Sequence, residues 1–111
     1  MSQSELGQRI CSLVEECIKP TTPTKSLADW LTSAVWLFGP EVGDIILENR
    51  LRWIESPSLE LAVTGLQMDE FFPASNRDEL DKILNSVVQN HPALEHECEK
   101  IRLAFTKQFG G

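Results

Sequence analysis

The sequence predicts an all-α chain, a compact bundle of about six short helices, and two observations carry that prediction. Apolar residues recur three and four positions apart in segment after segment, and no stretch keeps the strict alternation, closed by turn residues, that marks a half-buried strand. Most candidate helices also carry a start or stop signal of their own: a capping side chain, a first-turn proline or a terminal glycine. The 111 residues, 41% apolar and 24% charged, are about what one globular domain uses. A single helical domain over 1–111 is expected.

The elements follow in order. A first helix over 4–18 sets Leu6, Ile10, Leu13, Val14 and Cys17 on one stripe, with Ser2 and Glu5 at capping-box spacing. It stops at Lys19-Pro20. Two prolines within 20–24 then withhold helix donors and helical backbone angles, so this segment reads as a stiff tether for the N-terminal helix. Ser26 with Asp29 signals a second helix over 26–38, whose stripe is Leu27, Trp30, Leu31, Ala34 and Phe38, closed by Gly39. Pro40 opens a third over 40–54 with Val42, Ile45, Ile46 and Trp53 inward. Ser56-Pro57 repeats that signal for a short helix over 57–64, carrying Leu59, Leu61, Ala62 and Val63 and ended by Gly65. Ser75 or Asn76 caps a fifth over 76–89 with Leu80, Ile83, Leu84 and Val87. Asn90-His91-Pro92 interrupts the chain before a sixth over 92–109, with Leu94, Cys98, Ile101, Phe105 and Phe109 inward. Its acids, Glu95, Glu97 and Glu99, precede Lys100, Arg102 and Lys107, an order that suits the helix dipole.

Composition excludes several function classes. A net charge of -7 and a pI near 4.7 offer no basic surface to a phosphate backbone, so direct nucleic-acid binding is not expected. The longest uninterrupted apolar run, 34–38, has five residues, against the roughly 20 that span a bilayer. The polar start, with Glu5 in it, lacks the basic-then-apolar order of a secretory signal. No membrane partner and a cytoplasmic location are therefore expected. Cys11, Cys17 and Cys98 form an odd set without a C-x-x-C pair, which encodes neither a disulfide framework nor a zinc site. Cys17 and Cys98 fall on apolar stripes as buried thiols, and Cys11 lies to the side.

Chemistry-bearing motifs are missing. His91 and His96 are five apart and H-E-x-x-H does not occur, while neighbours in His96-Glu97-Cys98 point about 100° apart and do not converge on one ion. Gly39-Pro40-Glu41-Val42-Gly43 precedes a helix but lacks the lysine of a phosphate loop, and Asp44 repels a phosphate there, so it reads as a helix corner. No catalytic residue, cofactor or metal is assigned, and a non-enzyme is expected.

Two features are informative. On an ideal helix a residue nine positions from the start of the stripe lies about 180° from it. Trp36, Leu51 and Leu103 occupy that place opposite Leu27, Val42 and Leu94, each among polar neighbours. Such residues either pack a second side of a central helix or anchor a partner. The second feature is the stretch 55–81, which holds seven acids against Arg77 alone. Within it, the loop 68–74 sets Asp69 and Glu70 beside Phe71 and Phe72. The aromatics there either staple the loop inward or tip an acidic contact site for a basic protein.

The expected function is thus a non-enzymatic helical protein-protein interaction module: an adaptor, assembly subunit or small regulator, self-association included. Its contact residues are Trp36, Leu51, Leu103, Asp69, Glu70, Phe71 and Phe72. An alternative is an acidic inhibitor whose carboxylates imitate nucleic-acid phosphates in the groove of a basic protein. A further alternative is an enzyme built from carboxylates and His96.

Overall fold

The computed structural model describes residues 2–68 and 70–109. They form six α-helices and no strand: α1 Gln3–Cys17, α2 Thr24–Leu37, α3 Pro40–Ile54, α4 Leu59–Leu66, α5 Arg77–Asn90 and α6 Glu95–Phe109, with a 3-10 turn at Pro92–Leu94 leading into α6. The chain divides into two units, 1–68 with the first four helices and 69–111 with the last two.

The first unit is built around α3, on which α1, α2 and α4 all pack. Residues around most of its girth are therefore buried, from Val42, Gly43 and Ile46 to Trp53 and Ile54. Pro40 stands in the first turn, where its missing N–H costs nothing. Gly39 precedes it at φ 107°, a conformation that side chains rarely adopt. The N-terminus of α3 takes its cap from another helix, because Gln3 Oε1 accepts from the Glu41 N–H at 3.1 Å. The helix expected to hang on a tether is instead pinned along α3. The proline segment after it closes into a turn, with Thr22 N–H donating to Lys19 O and Lys19 N–H donating to Thr22 Oγ1, both at 2.9 Å.

Helix α2 starts two residues before the position that the Ser26 signal predicts. Pro23 takes the cap position without a side-chain bond, and Asp29 pairs with Lys25 at 3.0 Å instead of closing a capping box.

The rotation of α1 is the main departure from the sequence reading. Its buried residues are Gly7, Ile10, Cys11 and Val14, so the small side chains Gly7 and Cys11 lie on its buried side. A Cβ at Gly7 would stand 3.0 Å from Ile45 Cδ1. That close approach turns Leu13, 52% exposed, and Cys17 outward and buries Cys11, which reverses the expectation for those two thiols.

In α4 the cap is Ser58, whose Oγ accepts from Leu61 N–H at 3.4 Å. Gly65 does not end the helix. A Cβ there would lie 2.8 Å from Ile54 Cγ1 and 3.2 Å from Arg50 O, so this glycine sets the spacing of α3 and α4. Arg50 is 2% exposed. Its Nε donates to Gly65 O at 2.8 Å and its Nη2 to Met68 O at 3.1 Å, serving carbonyls at the negative end of α4. Burial pushes the guanidinium pKa down to about 10.

The second unit pairs α5 with α6, and Leu80, Leu84, Val87, Leu94, Cys98 and Phe105 are buried. Asn76 caps α5 by accepting from Glu79 N–H at 2.9 Å. Arg102 reaches from α6 to Asp81 at 3.1 Å and Asn85 at 2.7 Å, and Arg77 donates to Thr106 at 2.8 Å.

Candidate protein-binding face

The outward turn of α1 leaves an apolar cleft in the first unit. It has a volume of about 400 Å³ and is lined by Ile10, Leu13, Val14 and Cys17 of α1, Ile18 and Thr22 of the connection, and Leu27 and Trp30 of α2. Thr22 is the single hydroxyl in that lining. The seven helical steps from Ile10 to Cys17 give the cleft a length of about 10 Å.

Large apolar side chains continue from its α2 wall. Trp30 is half exposed and tilts against Phe38, with ring centroids 6.4 Å apart. Leu37, seven positions after Trp30 and hence on the same flank, is 73% exposed. Uncovered apolar side chains grouped beside an apolar cleft mark an interaction site more often than scattered single residues do. Cys17 is the exposed thiol, whereas burial pushes the pKa values of Cys11 and Cys98 up to about 11.

The residues singled out from sequence fall in different places. Trp36, Leu51 and Leu103 are 68%, 41% and 69% exposed. Trp36, six positions after Trp30, points about 120° away from the cleft. Leu51 stands on the outer side of α3 with Asp44, Glu48 and Glu55, all exposed. Leu103 belongs to the second unit, between Lys100 and Lys107 on α6.

In the acidic loop, Asp69 lies outside the described residues, Glu70 is exposed and Phe71 is half-buried. Phe72 is no free contact tip. It packs edge-on against Phe105 and Phe109, with centroids 5.2 and 5.6 Å away. Each aromatic contact of this geometry adds roughly 0.5 to 1.5 kcal/mol beyond the buried area, which holds the ring against α6. Arg102, near the middle of α6, is engaged by Asp81, Glu99 and Asn85.

Charge around the molecule is locally compensated at several acids. Asp29 faces Lys25, Glu15 faces Arg52 at 3.8 Å, Asp81 faces Arg102 and Arg77, and Glu97 faces Lys100 at 3.8 Å. Among the described residues, no three or more His, Cys, Asp or Glu side chains are grouped to hold a metal ion, and no helix is long and apolar enough to cross a membrane. No family model, curated protein or solved structure matches the chain.

The cleft residues Leu13 and Trp30 stand on stripes that the sequence reading turns inward. The overlooked signal is the pair of small residues Gly7 and Cys11, one helical turn apart. They mark the side of α1 on which another helix can come close.

Proposed function

We propose that the protein is a non-enzymatic interaction module that binds another protein chain through helix faces. The observation that carries this reading is the uncovered apolar face of α1 and α2, a cleft with Leu13 and Trp30 exposed in its lining and Leu37 and Phe38 exposed at the end of α2. Recognition of this type inserts apolar anchors into a groove and surrounds them with polar contacts. A cleft of about 400 Å³ holds two or three such anchors, since a cavity of about 150 Å³ accommodates one benzene-sized group. Exposed Trp36 and Leu103 offer further, separate contact points. Three unpaired thiols go with a reducing, cytoplasmic setting. The acidic-inhibitor alternative draws less support, because several carboxylates already face cations of the same chain.

The test compares the wild type with Leu13→Glu and Trp36→Ser, immobilised in native cell extract and followed in parallel by light scattering. The reading predicts that wild type retains a protein or self-associates, and that Leu13→Glu abolishes this while the fold melts normally. If wild type neither self-associates nor retains any protein that Leu13→Glu releases, the interaction reading is wrong.

A further inference from the structure

We infer that the occupant of the α1/α2 face is a second copy of this chain, docked about a two-fold axis that passes beside Leu13 with the two α1 helices antiparallel. The inference rests on the interaction reading above and adds the identity of the partner.

Self-complementary shape is the first support. The same face carries a cleft and, on its α2 wall, the half-exposed Trp30, a large apolar side chain that a second cleft can receive. An isologous dimer needs both on one patch, because each copy supplies what the other receives.

Charge is the second. Arg9 and Glu16 flank Leu13 on the outer edge of α1, four residues before it and three after. In an antiparallel pair centred between Ser12 and Leu13, positions whose numbers add to 25 lie opposite each other. Arg9 then meets Glu16 of the other copy, and Glu16 meets its Arg9. The charges bordering the face balance, since Lys25 and Asp29 already pair within one chain. Elsewhere the molecule is acidic, with a net charge of -7, so a balanced border is what lets like copies approach.

Area is the third. An aromatic side chain presents roughly 150 to 250 Å², and a leucine falls at or below the lower end of that range. At exposures of 52%, 50%, 73% and 43%, Leu13, Trp30, Leu37 and Phe38 together uncover about 400 Å². Interfaces are about 57% apolar, so this corresponds to a contact of about 700 Å² per copy, close to the roughly 800 Å² of a standard one. Helix α6 has Leu103 as the large exposed apolar residue of its Lys100–Lys107 face, too little to fill the cleft.

The experiment is sedimentation equilibrium of the full chain up to about 0.5 mM, with Arg9→Glu, Glu16→Arg, the double exchange, and Leu13→Glu. Wild type is expected to dimerise with a Kd below about 100 µM, in the range of small interfaces. Each single charge reversal raises that Kd roughly tenfold or more, the double exchange returns it to near the wild-type value, and Leu13→Glu leaves only monomer. Arg9 and Glu16 are exposed, so all variants keep the fold, as circular dichroism checks. A monomeric wild type at 0.5 mM overturns the dimer, and so does a double exchange that fails to restore it. If the monomeric wild type still retains another protein that Leu13→Glu releases, the dimer falls while the interaction reading stands; if nothing is retained either, both fall.

Discussion

Truncating Leu13 to Ala, side by side with Leu31 to Ala, separates a binding face from a core. The sequence pattern places both leucines inward, but Leu13 is 52% exposed and Leu31 is 0% exposed. Fully burying a leucine is worth about 1.5 to 3 kcal/mol, and Leu13 keeps about half of that. Its truncation costs about 1 kcal/mol. The loss is softened by the good helix propensity of alanine. Leu31→Ala empties a closed site between α2 and its neighbours and costs about 2 to 5 kcal/mol. Urea titration at a concentration where the wild type is monomeric reads the difference directly, as a shift of midpoint at unchanged slope. A cost for Leu13→Ala above about 2.5 kcal/mol would place that side chain in the core. It would remove the physical basis of the cleft as an open site.

Three further outcomes follow from the same structure. Arg50→Lys is expected to destabilise by about 2 kcal/mol and Arg50→Met by about 1 kcal/mol, because lysine keeps the buried charge while reaching one carbonyl, whereas methionine removes the charge along with both bonds; thermal melts in which lysine proves harmless would refute the forked contact to Gly65 and Met68. Gly43→Ala loses about 1 to 3 kcal/mol despite better helix propensity, since its Cβ would stand 2.8 Å from the Val35 carbonyl oxygen; a neutral result in a urea titration would contradict the α2–α3 spacing. Cys11 and Cys98 hold their protons up to about pH 11 in the fold, against about 9 in the unfolded chain, so they favour the folded state below pH 9 and that contribution is lost as pH rises toward 11; a bulky thiol reagent at neutral pH should modify Cys17 alone, and rapid labelling of two or three thiols would overturn this.

Much of the fold is legible from local chemistry. Pro40 in a first turn, Asn76 at a cap and the break at Asn90-His91-Pro92 all act through neighbours in sequence, and each lies where the pattern predicts. Signals that depend on another helix were not legible. Gly65 resembles a terminator but lies inside α4 because α3 comes close there, and Ser26 resembles a cap but lies inside α2 because the chain can enter the helix from Pro23. The rotation of α1 has the same origin. Periodicity weighs large apolar residues, yet close packing is decided by small ones, so Gly7 and Cys11 choose the buried side and Leu13 and Cys17 are left at the cleft. Helical geometry places Trp36, Leu51 and Leu103 opposite the stripes, but whether a second layer covers them depends on the packing of other helices, as the inward turn of Phe72 depends on Phe105 and Phe109, more than thirty residues away in sequence.

On the function proposed above, the α1/α2 face is bare in the isolated chain and covered by another chain at work. Acrylamide quenching of Trp36→Phe reads this with one reporter on the face, Trp30, and one internal reference, Trp53, which is 1% exposed. The prediction is strong quenching of one tryptophan in dilute protein, falling as protein concentration rises or a bound partner is added, while the other stays protected throughout. Two tryptophans equally shielded in the dilute monomer, or a Trp30 whose accessibility never changes, would contradict it.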